Sequence, residues 1–147
     1  VMEAGAFLIR EYRPEDYGDC LEVWRTTRMY VREMDSRRVV ELMHKLNGDL
    51  FLVAEVGGKV VGTVEAVFSG NLALIYHLAV HPDYQRRGIG KALVEEILRR
   101  LGAGGATYAL VFNHSSHRDA LGFYRRLGFR SIGTFRGLYI RTARGRK

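Results

Sequence analysis

Six consecutive residues, Gln85-Arg86-Arg87-Gly88-Ile89-Gly90, carry the clearest chemistry in this chain. They follow an apolar run ending Leu78-Ala79-Val80-His81-Pro82 and lead through Lys91 and Ala92 into an amphipathic stretch. A strand that feeds a glycine-rich turn opening a helix gathers backbone N–H groups and the positive end of the helix dipole at one spot. Arg86 and Arg87 add formal charge there. Gly88 and Gly90 let a ligand approach the main chain closely. The chemistry is that of an anion cradle, with phosphate as the natural guest.

Two familiar phosphate loops do not fit. A Walker A loop needs Ser or Thr after its Gly-Lys to hold magnesium, and Gly90-Lys91 is followed by Ala92. A dinucleotide fingerprint needs a third glycine and an acid about twenty residues later. Leu93 stands where that glycine belongs, and no such acid follows. The pattern left, Gln/Arg-x-x-Gly-x-Gly/Ala after a strand ending Val-His-Pro, resembles the pyrophosphate loop of the GNAT family of N-acetyltransferases. A second stretch strengthens the resemblance. Asn113, Ala120, Phe123-Tyr124 and Leu127-Gly128-Phe129 look like the later GNAT signature, with a longer gap than usual between Asn113 and Ala120.

The resemblance implies a fold and a reaction. The fold is a mixed α/β sheet in the order β-α-α-β-β-β-α-β-α-β-β, in which parallel strands 4 and 5 splay apart to admit the pantetheine arm of acetyl-CoA. Strands 72–80 and 107–112 fill those places. It implies that the backbone of Leu78, Ala79 and Val80 faces the acyl arm. Gln85, Arg86, Arg87, Gly88, Ile89, Gly90, Lys91 and Ala92 hold the pyrophosphate, and Asn113 reaches the pantetheine amide. The implied reaction is direct attack of an amine on the thioester carbonyl, with acetyl-CoA as co-substrate and no metal.

That reaction makes three demands. An alkyl ammonium, of pKa roughly 10.4, must lose a proton. The carbonyl oxygen needs an N–H donor, expected from Val80 or its neighbour. The departing thiolate needs an acid, and Tyr124 matches the family's tyrosine. The base is left open between His77, Glu65 on the neighbouring strand, and a water or backbone relay. Many relatives carry an acid just before the Leu-x-Val of strand 4; this chain has Tyr76-His77-Leu78. Strand alternation predicts that only one of Tyr76 and His77 faces the cleft. In the family the acceptor is selected by the first two helices and their connection. That region here holds Trp24, Arg25, Arg28, Tyr30, Arg32, Glu33, Met34 and Asp35, arginines and acids together, and it names no acceptor.

The elements that must position these residues are legible from periodicity. Residues 6–10 read as a first strand. Arg13-Pro14-Glu15-Asp16 opens a helix carrying Tyr17, Leu21 and Trp24 on one face. Ser36 is placed to cap a second helix whose stripe is Val39, Val40, Met43 and Leu46, ended by Asn47-Gly48. Strands follow at 50–56, 59–68 and 72–80, joined at Gly57-Gly58 and at Ser69-Gly70-Asn71. The helix after Gly88 buries Ile89, Leu93, Ile97 and Leu101. A strand at 107–112 precedes a loop from Asn113 to His117. A helix over 118–127, facing inward with Ala120, Phe123, Tyr124 and Leu127, ends at Gly128. Two last strands are expected near 129–134 and 137–141.

Bulk composition is consistent with this. The 147 residues suit one domain, read as 1–147 with a basic tail from about 141. Hydrophobic residues make up 47% and charged residues 27%, the balance of a globular protein. There is no membrane-length apolar run and no basic-then-apolar leader, and Cys20 is the single cysteine, which together point to the cytoplasm. His114 and His117 lack a metal-ligand spacing. Residues 1–75 hold 9 Lys/Arg and 12 Asp/Glu, whereas residues 76–147 hold 14 and 4. A phosphate-rich co-substrate explains part of that basic half; nucleic acid, the other anionic partner, gives no reason for the two loop glycines. A non-catalytic acyl-CoA binder is the main alternative to an enzyme. Within the enzyme class, a protein N-terminus or lysine stands beside a small amine as acceptor. A homodimer is compatible with the fold.

Overall fold

The computed structural model describes residues 6–113 and 118–143. Alternating apolar residues and two tight turns build an antiparallel meander. Strand β1 (Leu8–Glu11) pairs with β2 (Phe51–Val56), which pairs with β3 (Lys59–Ser69), which pairs with β4 (Leu72–Val80). The β2–β3 hairpin closes through Gly57 and Gly58, whose φ values of +56° and +83° are those that a two-residue turn requires. Strand β5 (Tyr108–Val111) lies parallel to β4 at the sheet edge, giving the order β1-β2-β3-β4-β5.

The described residues form five α-helices: α1 (Tyr17–Thr26), α2 (Arg32–Asp35), α3 (Arg37–Asn47), α4 (Ile89–Ala103) and, in the second of the two units below, α5 (Arg118–Arg126). Helix α1 packs on β3 and β4, and α4 packs on β2, β3 and β4. A sheet covered on both faces needs near-continuous apolar strands, and residues 51–54 and 60–66 are all buried. Trp24, Cys20, Phe51, Val53 and Ala79 form the core beside α1. Gly62 lies against Leu93 and Ile89 of α4, so the helix sits close to the sheet.

The chain forms two compact units, Val1–Phe112 and Asn113–Lys147. In the second, α5 ends in a Schellman turn at Gly128: its N–H reaches the Arg125 carbonyl, and that of Phe129 reaches the Tyr124 carbonyl.

Four expectations need correction. The strands expected at 129–134 and 137–141 do not form; that stretch has no regular secondary structure. A strand exists only where a neighbour accepts its ladder of hydrogen bonds, and Leu138, Tyr139 and Ile140 are exposed instead. Leu46 is 71% exposed, because the inward stripe of α3 is centred on Val40 and stops short of the helix end. Ser36 occupies the cap position of α3 but makes no side-chain capping bond. The connection expected between the first two helices contains a further one-turn helix, α2; Asp35, whose carboxylate accepts the Val31 N–H, organises it. The loop residues His114 to His117 and the tail from 144 lie outside the described residues.

Candidate active site

The open edge of β4 defines the site. Strand β5 pairs only with Leu72, Ala73, Leu74 and Ile75. Beyond Ile75 the edge of β4 away from β3 has no strand on it among the described residues. Leu78, Ala79 and Val80 fall on this stretch. Half of the backbone N–H and C=O groups there are oriented for a ligand that adds itself to the sheet as a strand would.

The cradle lies at the end of the same strand. Gly88 precedes α4 at φ +82°, and a Cβ there would meet only open space. The first intrahelical bond runs from Ala92 N–H to the Gly88 carbonyl, 3.0 Å. The amides of Ile89, Gly90 and Lys91 therefore precede the ladder and have no intrahelical acceptor. Arg86, at φ +63°, and Arg87 are exposed beside them. Gln85 shapes the loop: its side-chain amide donates to the Val80 carbonyl at 2.9 Å. Arg87 likewise donates to the Asp83 carbonyl at 3.3 Å, and its guanidinium lies over the Tyr84 ring. The geometry suits a pyrophosphate, with main-chain donors and added positive charge.

A second cluster lies on the α1 side of β4. Thr63 pairs with Ala79 and Glu65 with Tyr76, so one residue of β3 faces two of β4. This bulge puts His77 at φ +51°, a left-handed conformation unusual for a non-glycine residue. It also turns Tyr76 and His77 to one side, with ring centroids 5.3 Å apart. The expectation that only one of the two faces that side is thereby overturned, because period-two alternation fails at a bulge. A relay secures the bulge: the Trp24 indole N–H donates to Thr63 Oγ1 at 2.9 Å, and the Thr63 hydroxyl donates to the His77 carbonyl at 2.8 Å.

His77 sits between two buried carboxylates. Its Nε2 lies 2.8 Å from Asp35 Oδ1 and its Nδ1 lies 3.3 Å from Glu65 Oε2. The Asp35 contact is a charge contact without the alignment of a straight hydrogen bond. Asp35 and Glu65 are 2% and 3% exposed. Burial pushes the Glu65 carboxyl up to about 7, opposed by the nearby imidazole and reinforced by Asp35. For His77, burial favours the neutral ring, but the two carboxylates outweigh it and hold its pKa above the usual value. Tyr76 is shifted upward by burial and then by the same carboxylates. Among the described residues no cluster of His, Cys, Asp and Glu is arranged to hold a metal ion.

Sequence reasoning named His77 and Glu65 as rivals; the structure brings them together. It missed Asp35 as their third member. The acid falls in a connection whose charges conflict, and only the fold reveals its partner. In the second unit, Tyr124 is half-buried on α5 with its ring against Phe123 and Phe129. Burial pushes its phenol up to about 12. Asn113 is exposed, directly after Phe112.

The family described as acetyltransferase (GNAT) domain matches residues 47–131, which span β2 through the end of α5. The chain belongs to the GNAT acetyltransferases. Members of the family use acetyl-CoA. Solved GNAT structures share the architecture. The PaiA N-acetyltransferase of Thermoplasma acidophilum, in complex with coenzyme A, superposes with a TM-score of 0.80 at 24% identity, covering 88% of this chain and 93% of that one. Ard1 of Thermoplasma volcanium gives 0.74 at 26% identity, covering 87% and 85%. Glucosamine-6-phosphate N-acetyltransferase of Arabidopsis thaliana gives 0.74 at 16% identity, covering 92% and 99%. Among the described residues no helix of this GNAT chain is long and apolar enough to cross a membrane.

Proposed function

We propose that this GNAT enzyme moves the acetyl group of acetyl-CoA to a primary amine by direct attack, using the His77–Glu65 pair to take the amine proton and Tyr124 to protonate the leaving thiolate. The observation that carries the reading is the coincidence, on one strand, of an open edge after Ile75, an anion cradle after Val80 and a bulge at His77.

The steps balance with these groups. The amine nitrogen bonds to the thioester carbon and negative charge moves to the carbonyl oxygen. A backbone N–H on the open stretch of β4, at Val80 or its neighbour, stabilises that charge. The C–S bond then breaks, and the thiolate takes the Tyr124 proton. The proton from the attacking nitrogen passes to the His77–Glu65 pair. Glu65 is too buried to touch an acceptor, so it acts through the imidazole or a water. The two groups titrate as one unit, since each charge shifts the other. Gly88, Ile89, Gly90 and Lys91 hold the pyrophosphate through main-chain donors, with Gln85, Arg86 and Arg87 shaping and charging the loop; Ala92, expected among the donors, instead gives its N–H to the Gly88 carbonyl. Asn113 serves the pantetheine amide.

The test is thiol-detected release of CoA from acetyl-CoA across primary amines and peptides with free amino termini. Turnover with at least one is expected. Thermal stabilisation by CoA with no turnover on any acceptor would leave an acyl-CoA binder. Binding to nucleic acid unaffected by CoA would redirect the basic half to a different role.

A further inference from the structure

The proton path just proposed leaves Asp35 without a part, although it is the most buried acid of the chain's described residues. We propose that Asp35 is a positioning residue that ties the acceptor-facing segment 28–36 to the His77 ring, so that docking of the segment and protonation of the ring depend on each other. The proposal rests on the reading of His77 as the proton-handling group.

Three contacts carry it. One Asp35 carboxylate oxygen lies 2.8 Å from His77 Nε2 on β4. The other accepts the Val31 N–H at 2.7 Å, closing the turn in which α2 begins. Its main-chain carbonyl accepts the Tyr17 hydroxyl at 2.7 Å, fastening the segment to α1. One side chain and its own peptide thus join α1, the segment and β4. The segment leaves α1 through Arg28 at φ +60°, a Schellman turn made without glycine. Such a turn is strained and needs an anchor further on. Asp35 is that anchor.

The groups facing His77 from each packed element are few. Asp35 approaches from α2, Glu65 from β3 and Tyr76 from its own strand, while α1 presents the uncharged Trp24 indole. Tyr17 stands behind Asp35 on its carbonyl side. With Asp35 ionised, the protonated ring is the favoured partner. Since the folded pKa of His77 lies above its ordinary value, the stabilisation is complete below the ordinary pKa. It is lost as pH rises through the folded one.

The chain has one tryptophan, Trp24, with its ring 5.1 Å from the His77 ring. An imidazolium quenches indole emission, so Trp24 fluorescence reports the His77 proton without any acceptor present. The wild type should brighten with rising pH across one midpoint, and H77Q should lack the transition. D35N removes the charge and keeps an oxygen to accept the Val31 N–H; its midpoint should fall by about one pH unit or more. A D35N midpoint equal to that of the wild type overturns the proposal, as does a transition that persists in H77Q. Should D35N fail to fold, hydrogen exchange in the wild type decides. The Met34 and Asp35 amides should lose protection, after correction for intrinsic rates, across the same midpoint; constant protection overturns the tie. CoA release by H77Q at the wild-type rate would sink the proton-handling reading alone, which keeps the two failures apart.

Discussion

Glu65 stands opposite Tyr76 in the ladder, yet its carboxylate oxygen lies 3.3 Å from Nδ1 of His77, the next residue along β4. A regular strand would point His77 to the other face. The bulge between β3 and β4 turns it back, placing an imidazole against a buried carboxyl.

Glu65 carries a stability cost. Its carboxyl, pushed up to about 7 by burial, binds more protons in the folded than in the unfolded chain. Stability therefore falls as pH rises from the ordinary carboxylate range towards 7. Glu65→Gln should raise Tm at pH 8, by roughly 1–3 kcal/mol in stability, and lose that advantage below pH 5. Turnover should drop in the same variant. Thermal melts at the two pH values check the first outcome and CoA-release kinetics the second; a variant less stable than wild type at pH 8 would show Glu65 to be a net stabiliser.

Tyr124→Phe should lower kcat roughly 100-fold while leaving KM for acetyl-CoA nearly unchanged. The phenol, held up to about 12 by burial, remains a proton donor throughout the working range. The alkaline limb of the rate profile should therefore not belong to Tyr124. A normal rate in the phenylalanine variant removes Tyr124 from the mechanism.

Gly62→Ala should couple the core to the cradle. A Cβ there would lie 3.1 Å from Leu93 Cδ1 and 3.2 Å from Ile89 Cγ2, both on α4. Overpacking of this kind costs about 1–3 kcal/mol. Relief by a shift of α4 would carry with it the first-turn amides proposed above to hold the pyrophosphate. Denaturation should show the loss of stability, and calorimetry with CoA should show weaker binding than in the wild type.

Thr63→Val should act through the bulge. The hydroxyl both accepts from Trp24 and donates to the His77 carbonyl, so the isosteric valine strands two buried polar groups. A loss of about 1–3 kcal/mol is expected, with Trp24 emission altered and kcat reduced more than KM is raised. An unchanged emission spectrum would argue that the indole N–H finds another partner.

Several elements were legible because their signals are local. The expected boundaries of β2, β3, β4 and α4 agree with the observed ones to within a residue or two, since each is bounded by glycine or proline and carries a clean period. The inward face of α4, from Ile89 to Leu101, follows from 3.6-residue periodicity alone. The region after Gly128 was not legible. Its alternating apolar residues read as strands, but alternation states only what a strand would look like once a neighbour pairs with it. Helix α2 was missed for a related reason: a single turn closed by one Asp side chain has no period to detect.

The amino-acid sequence by itself carried the family resemblance and the cradle on which it rests. Gly88, Gly90 and the start of α4 form a cradle because turn conformation and helix ends depend on residues a few positions apart. Asp35, Glu65 and His77 are separated by 30 and 12 positions. Their meeting depends on a register shift and on where the segment after α1 docks, and neither leaves a mark on local pattern. Only the tertiary structure brought the two rival candidates, His77 and Glu65, together, with the Asp35 carboxylate from the segment after α1 as a third charge.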